Sequence, residues 1–165
     1  MGSITAHPRR KAITSTFRPT LEPSVLSDPS RLLYLTEGEF KALKLTQEGF
    51  PCLVLAGVWS WKTNLHGKSL SIADLDRVAR KGRRLVVVFD SDLADKPPVA
   101  WAEHELVKEL RRRQADVYLL RLPEGPKGAK CGVDDYLVTH VPRRSAGSRC
   151  RRRPKSIRIR RLSSA

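Results

Sequence analysis

The sequence predicts an α/β domain built on a four-stranded, mainly parallel sheet with helices on both faces. Three observations predict it. Four short apolar runs are spaced along the middle of the chain, a segment of helical periodicity separates each from the next, and the runs are nearly continuously apolar rather than alternating. Continuous runs suit strands buried on both faces, and the βαβ alternation suits parallel pairing with right-handed crossovers.

The runs are residues 32–35 (LLYL), 52–55 (CLVL), 85–89 (LVVVF) and 116–122 (DVYLLRL). Between the first two, EFKALKLTQEG sets Phe40, Leu43 and Leu45 at helical spacing and ends in Gly49, a helix stop. SIADLDRVARKG repeats the scheme with Ile72, Leu75, Val78 and Ala79 on one face and Gly82 at the end. PPVAWAEHELVKELRRRQ starts near Pro98 and carries the stripe Val99, Ala102, Leu106 and Leu110. The arginines that close this helix complement its macrodipole and need no ligand.

A chain of 165 residues has room for one such domain, expected over 31–142, with a tail on each side. Residues 1–30 hold four prolines and no sustained periodicity, so an extended, flexible lead-in is expected. The net charge of +15 is uneven: residues 143–165 carry ten Lys/Arg and no acid, which predicts a disordered basic tail attractive to polyanions such as nucleic acid. Cys52, Cys131 and Cys150 are too widely spaced for zinc ligation and read as reduced thiols of a cytoplasmic protein. No apolar run is long enough to span a membrane, and no secretion signal opens the chain.

Sheets of this kind place their chemistry at the carboxyl ends of the strands, beside the point where strand order reverses. Glu37 follows the first strand and precedes a glycine, while Asp90 and Asp92 follow the third strand in VVVFDSD. Residues two apart on an extended segment point the same way, so both aspartates can serve one region. In a 2-1-3-4 strand order Glu37 joins them. Three carboxylates so close repel unless a cation intervenes, and Mg2+ (or Mn2+), a hard ion held by few carboxylates plus water and phosphates, suits them. After the last strand, LPEGPKGAKCGVDDYL adds Asp134 as a further candidate ligand, and Lys127 and Lys130 as phosphate contacts on a Gly/Pro-rich loop.

The order and spacing of these pieces carry a resemblance. LYLTEGEFKALKLTQEGFPCLVLAG, with Glu-Gly after strand one and a small-residue turn after strand two, followed by VVVFDSD, resembles the Toprim domain, a Rossmann-like three-layer fold shared by primases and topoisomerases. GVWSWK and GVDDYL resemble the Toprim-like domains of phage and plasmid primase-helicase replication proteins. The resemblance covers about residues 31–140. It implies that Glu37 is the general acid or base and that Asp90 and Asp92 bind magnesium, with the role of Asp134 open. The partners it implies are DNA or RNA, nucleotides and a replicative helicase. The zinc module and helicase motor that usually accompany such domains are not visible in this sequence.

Other readings stay open at this level. DSDL also resembles the nucleophile motif of haloacid-dehalogenase-type phosphatases, although there it follows the first strand and Glu37 would have no role. A basic protein with a relic acidic site could simply bind nucleic acid. HGKSL lacks the first glycine of a phosphate-binding P-loop, because Lys62 stands in its place. In WSWK, Trp59 and Trp61 share one side of an extended segment beside Lys62, which suits base stacking with a phosphate contact, or else a cover for the sheet edge. Deleting residues 143–165 should weaken nucleic-acid binding equally for all sequences and flatten its salt dependence while the domain stays folded, measured by anisotropy across a salt series and by thermal melting. Loss of the cooperative melt would instead assign the tail to the core.

Overall fold

A computed structural model describes residues 21–65, 68–71, 74–78, 81–140 and 158–161. In chain order the elements are α1 (Pro23–Ser27), β1 (Leu33–Glu37), α2 (Glu39–Gln47), β2 (Cys52–Leu55), β3 (Lys62–Leu65), β4 (Lys68–Ser71), α3 (Asp74–Val78), β5 (Arg84–Val88), α4 (Pro97–Arg112), β6 (Asp116–Arg121), α5 (Val133–His140) and β7 (Arg158–Arg161). The four apolar runs form β1, β2, β5 and β6, all parallel and in the order β2-β1-β5-β6. This is the 2-1-3-4 order that brings the first and third apolar runs together.

Alternation along each strand divides the core in two. Leu33 and Leu35 of β1, Leu85 and Val87 of β5, and Val117 and Leu119 of β6 pack with Leu75 and Val78 of α3 and Leu106 and Leu110 of α4. On the opposite face Val54, Val86, Val88 and Leu120 meet Ala42 and Leu45 of α2 and Tyr136 and Leu137 of α5. Helices therefore cover both sheet faces, giving three layers. Glu103, buried on α4, accepts two hydrogen bonds from the Arg121 guanidinium, each 2.6 Å, which ties α4 to the end of β6.

Three features lie outside the sequence-based expectation. Residues 21–30, read as lead-in, include α1, whose Val25 and Leu26 pack on the core beside buried Leu21. The fully buried Arg83 secures this segment by donating from Nη2 to the Leu26 carbonyl at 2.8 Å. Between β2 and α3 stands an antiparallel hairpin, β3–β4, whose connecting residues 66 and 67 lie outside the described residues. Within the basic tail, β7 pairs antiparallel with β6. Its register sets Ile159 opposite Leu120 and Arg158 opposite Arg121. The rest of the tail lies outside the described residues, as does the start of the lead-in. Among the described residues no helix is long and apolar enough to cross a membrane.

Leu106 is fully buried between α4 and the sheet. Leu106→Ala should lower unfolding free energy by about 2–5 kcal/mol in urea titrations, whereas Val138→Ala, at a position 68% exposed, should change it by no more than about 0.5 kcal/mol.

Candidate functional site

β1 and β5 pair in register up to Thr36 opposite Val88, so both strands end at one edge. Glu37 is the last residue of β1, and Asp90 stands two residues beyond β5. From this edge the chain turns onto opposite faces, into α2 after β1 and toward α4 after β5, which opens a crevice between the two departures. Gly38 makes the first turn possible. Its φ of 92° disfavours any side chain, and its N–H donates to the Leu55 carbonyl at 3.2 Å before α2 begins.

Lysines from two elements converge on Asp90. Lys41, on the first turn of α2, places Nζ 2.6 Å from Oδ1 and 2.8 Å from Oδ2. Lys130, on the β6–α5 loop, places Nζ 2.6 Å from Oδ2 of Asp90 and 4.0 Å from Oδ2 of Asp92. Asp92 is also paired to Lys96 at 2.6 Å. Burial opposes ionisation of Asp90, but the hydrogen bonds from Lys130 and Lys41 outweigh it and hold the carboxyl below the usual aspartate range. In return, the hydrogen bond to Asp90 outweighs partial burial and, with the charges of Asp92 and Glu37, holds the Lys130 ammonium above the usual lysine value. Glu37 thus lies within electrostatic reach of Lys130.

The two loops that carry these charges are fastened to each other. Ser91 N–H donates to the Cys131 carbonyl at 3.0 Å, and Cys131 N–H donates to Ser91 Oγ at 2.8 Å. This reciprocal pair fixes Lys130 beside Asp90. A Cβ built on Gly132 would lie 3.4 Å from Lys41 Cε and would collide with the Asp134 carboxylate, so glycine lets the α5 entry close against the Lys41 stem. Asp135 completes that entry by accepting from Gly132 N–H at 3.1 Å.

Glu37, Asp90, Asp92 and Lys130 therefore share one edge. Asp134, in the first turn of α5, borders Gly132 and the Lys41 stem. Lys127 occupies an exposed turn at φ 59°, and among the described residues no ion pair joins it to Asp90 or Asp92. Lys62 sits with Nζ 3.7 Å above the Trp59 ring centroid. Sequence reasoning missed Lys41, Lys96 and Ser91. Lys41 follows Glu37 by four residues, so a helix starting at Gly38 turns it back over the strand edge; Lys96 stands at i+4 from Asp92.

A family model described as a domain of unknown function (DUF3854) matches residues 23–144. The chain belongs to the DUF3854 family. No curated protein and no solved structure matches it significantly.

In this DUF3854 domain no group of three or more His, Cys, Asp or Glu side chains among the described residues gathers closely enough to hold a metal ion. Two carboxylates do share a cation: the Lys130 ammonium stands against both Asp90 and Asp92. Two carboxylates with water and phosphate oxygens are a usual magnesium environment. Asp90 and Asp92 are oxygen donors of the kind a hard divalent ion takes, and Lys130, Lys41 and Lys96 are the cations it would have to displace from them. Lys130→Gln should therefore tighten Mg2+ or Mn2+ binding by about tenfold from a weak starting affinity, read by isothermal titration, and Asp90→Ala with Asp92→Ala should abolish the heat. An unchanged affinity in Lys130→Gln would show that the ammonium does not compete for the ion.

Proposed function

We propose that this chain is a Toprim-like domain of a primase-type DNA replication protein, acting in the cytoplasm and catalysing nucleotidyl or phosphoryl transfer on nucleic acid with Mg2+ or Mn2+. The observation that carries the reading is the placement of Glu37 and Asp90 at the ends of adjacent parallel strands, where the strand order reverses, with Lys41 and Lys130 between the loops. Acids that hold a cation, a separate acid free to move a proton, and ammonium groups for phosphate oxygens are the parts that displacement at phosphorus needs.

In the synthetic direction a 3′-hydroxyl attacks the α-phosphorus of a nucleotide, a P–O bond forms, and diphosphate leaves. Glu37 accepts the hydroxyl proton. Lys41 and Lys130 shift from Asp90 to the phosphate oxygens and offset their charge. Asp90 and Asp92 would hold the divalent ion, which would supply neutralisation of phosphate charge. In the cleavage direction water attacks the phosphodiester phosphorus, a new P–O bond forms as the bond to the 3′-oxygen breaks, Glu37 gives its proton to that departing oxygen and is reprotonated by the water's proton, so the same residues serve a nuclease. DNA or RNA, nucleotides and a replicative helicase are the proposed partners.

A binding-only domain is the second reading, and the full engagement of the Asp90 carboxylate by two lysines favours it. The separating experiment incubates the protein with single-stranded DNA, ribonucleotides and magnesium, with and without a helicase partner, and looks for short products and for cut template. Glu37→Gln should retain metal binding and lower the rate by about 10²–10⁴-fold, because it keeps the shape and removes the base. Activity surviving both Glu37→Gln and Asp90→Ala would remove the catalytic reading.

A further inference from the structure

The WSWK segment is divided by the fold. Trp61 is 5% exposed and belongs to the core, while Trp59 only leans against that core. The two rings have centroids 6.2 Å apart at 31°, so Trp61 backs Trp59 without stacking flat on it. Trp59 is half-buried at the edge of that core. What stands over it is the ammonium of Lys62, at 3.7 Å from the Trp59 centroid and 5.4 Å from that of Trp61.

The turn that presents this ring is built before any ligand arrives. Ser60 N–H and Ser60 Oγ both bond the Gly57 carbonyl, at 2.9 Å and 2.7 Å, and Lys62 N–H bonds the Trp59 carbonyl at 3.2 Å. The turn also lies in the right place. It leaves the carboxyl end of β2, and Leu55 there is paired with Glu37. Trp59 stands four positions after Leu55, so its Cα is at most about 14 Å from that of Leu55, the residue beside Glu37.

We propose that Trp59 is a nucleobase-stacking platform of the Glu37 site, and that Lys62 leaves the ring for a phosphate when a base of single-stranded nucleic acid takes its place. The proposal rests on the nucleic-acid reading above and specifies which surface holds the strand. A π-face that attracts an ammonium is equally a surface for a planar base, and stacking of this kind tolerates any sequence. The displaced ammonium stays within reach of the backbone of the same nucleotide. Base stacking and phosphate contact are thereby supplied by neighbouring residues of one turn.

The test needs no catalysis. The full chain is titrated in EDTA against a fluorescein-labelled dT12 and against a twelve-unit abasic strand of equal charge, with anisotropy as the readout. The basic tail adds the same affinity to both, so their ratio isolates the base contribution. Wild type should prefer dT12, Trp59→Ala should weaken dT12 by about fivefold or more and leave the abasic strand unchanged, and Trp59→Phe should recover part of the loss. Lys62→Ala should lower the salt slope on dT12 by about one and leave that on the abasic strand unchanged. Thermal melts identify a misfolded Trp59→Ala, in which case Trp59→Leu, bulky and apolar but without a π-face, carries the decision. Wild-type binding to dT12 that a folded Trp59→Ala or Trp59→Leu matches on both strands would overturn the platform and leave the nucleic-acid reading intact. Failure of wild type to bind either strand would overturn both.

Discussion

β1 and β5 lie side by side in parallel, and because helices cover both faces of the sheet, each strand can offer polar chemistry only where it ends. Their interiors are Leu, Val and Tyr with the buried Thr36, which leaves no room for a charge along the pairing. The consequence reaches every residue of the site. Glu37 and Asp90 sit where the sheet stops, Gly38 and the Ser91 turn redirect the chain at once, and the helices that follow depart to opposite sides. A different strand order would leave the same acids on the surface but far apart.

Charge at this edge is balanced locally despite a strongly basic chain. Asp90 meets Lys41 and Lys130, Asp92 meets Lys96, and the charge of Glu37 acts on Lys130. The Asp90 pairs are partly buried, so losing one partner leaves an uncompensated charge in a poor solvent, at a larger cost than the net value of the pair. Such a group is held together by exchange: it can release a lysine only to another anion and accept a cation only where the lysine has left. On the proposed reading, phosphate and a divalent ion arriving together meet both conditions.

Much of this was legible from sequence because the decisive signals were local. The runs LLYL, CLVL, LVVVF and DVYLLRL specify strands through continuous apolarity, and Glu37, Asp90 and Asp92 are conspicuous as acids placed directly after them. Lys41 was harder to see, because its role depends on where α2 begins, and that hinges on the positive φ of Gly38. Ser91 was invisible, since its partner Cys131 is forty residues away. The β3–β4 hairpin and α1 escaped for another reason: at four or five residues each, their elements are too short to show a period. Trp59 and Trp61 look equivalent in sequence and differ only in which one the core takes.

The Ser91–Cys131 fastening also orders events in time. It joins loops on either side of α4 and β6, so it forms only after β6 has been laid against β5. Contacts of such separation bear a loop-closure entropy cost that local helices avoid, and they form late. The Asp90 carboxylate gains Lys41 once α2 docks on β1, but it gains Lys130 only when the sheet is complete through its fourth parallel strand. During synthesis, a nascent chain that has emerged only as far as α4 therefore holds the acids without their second cation, and the charge pattern that defines the site comes into being with the last steps of folding.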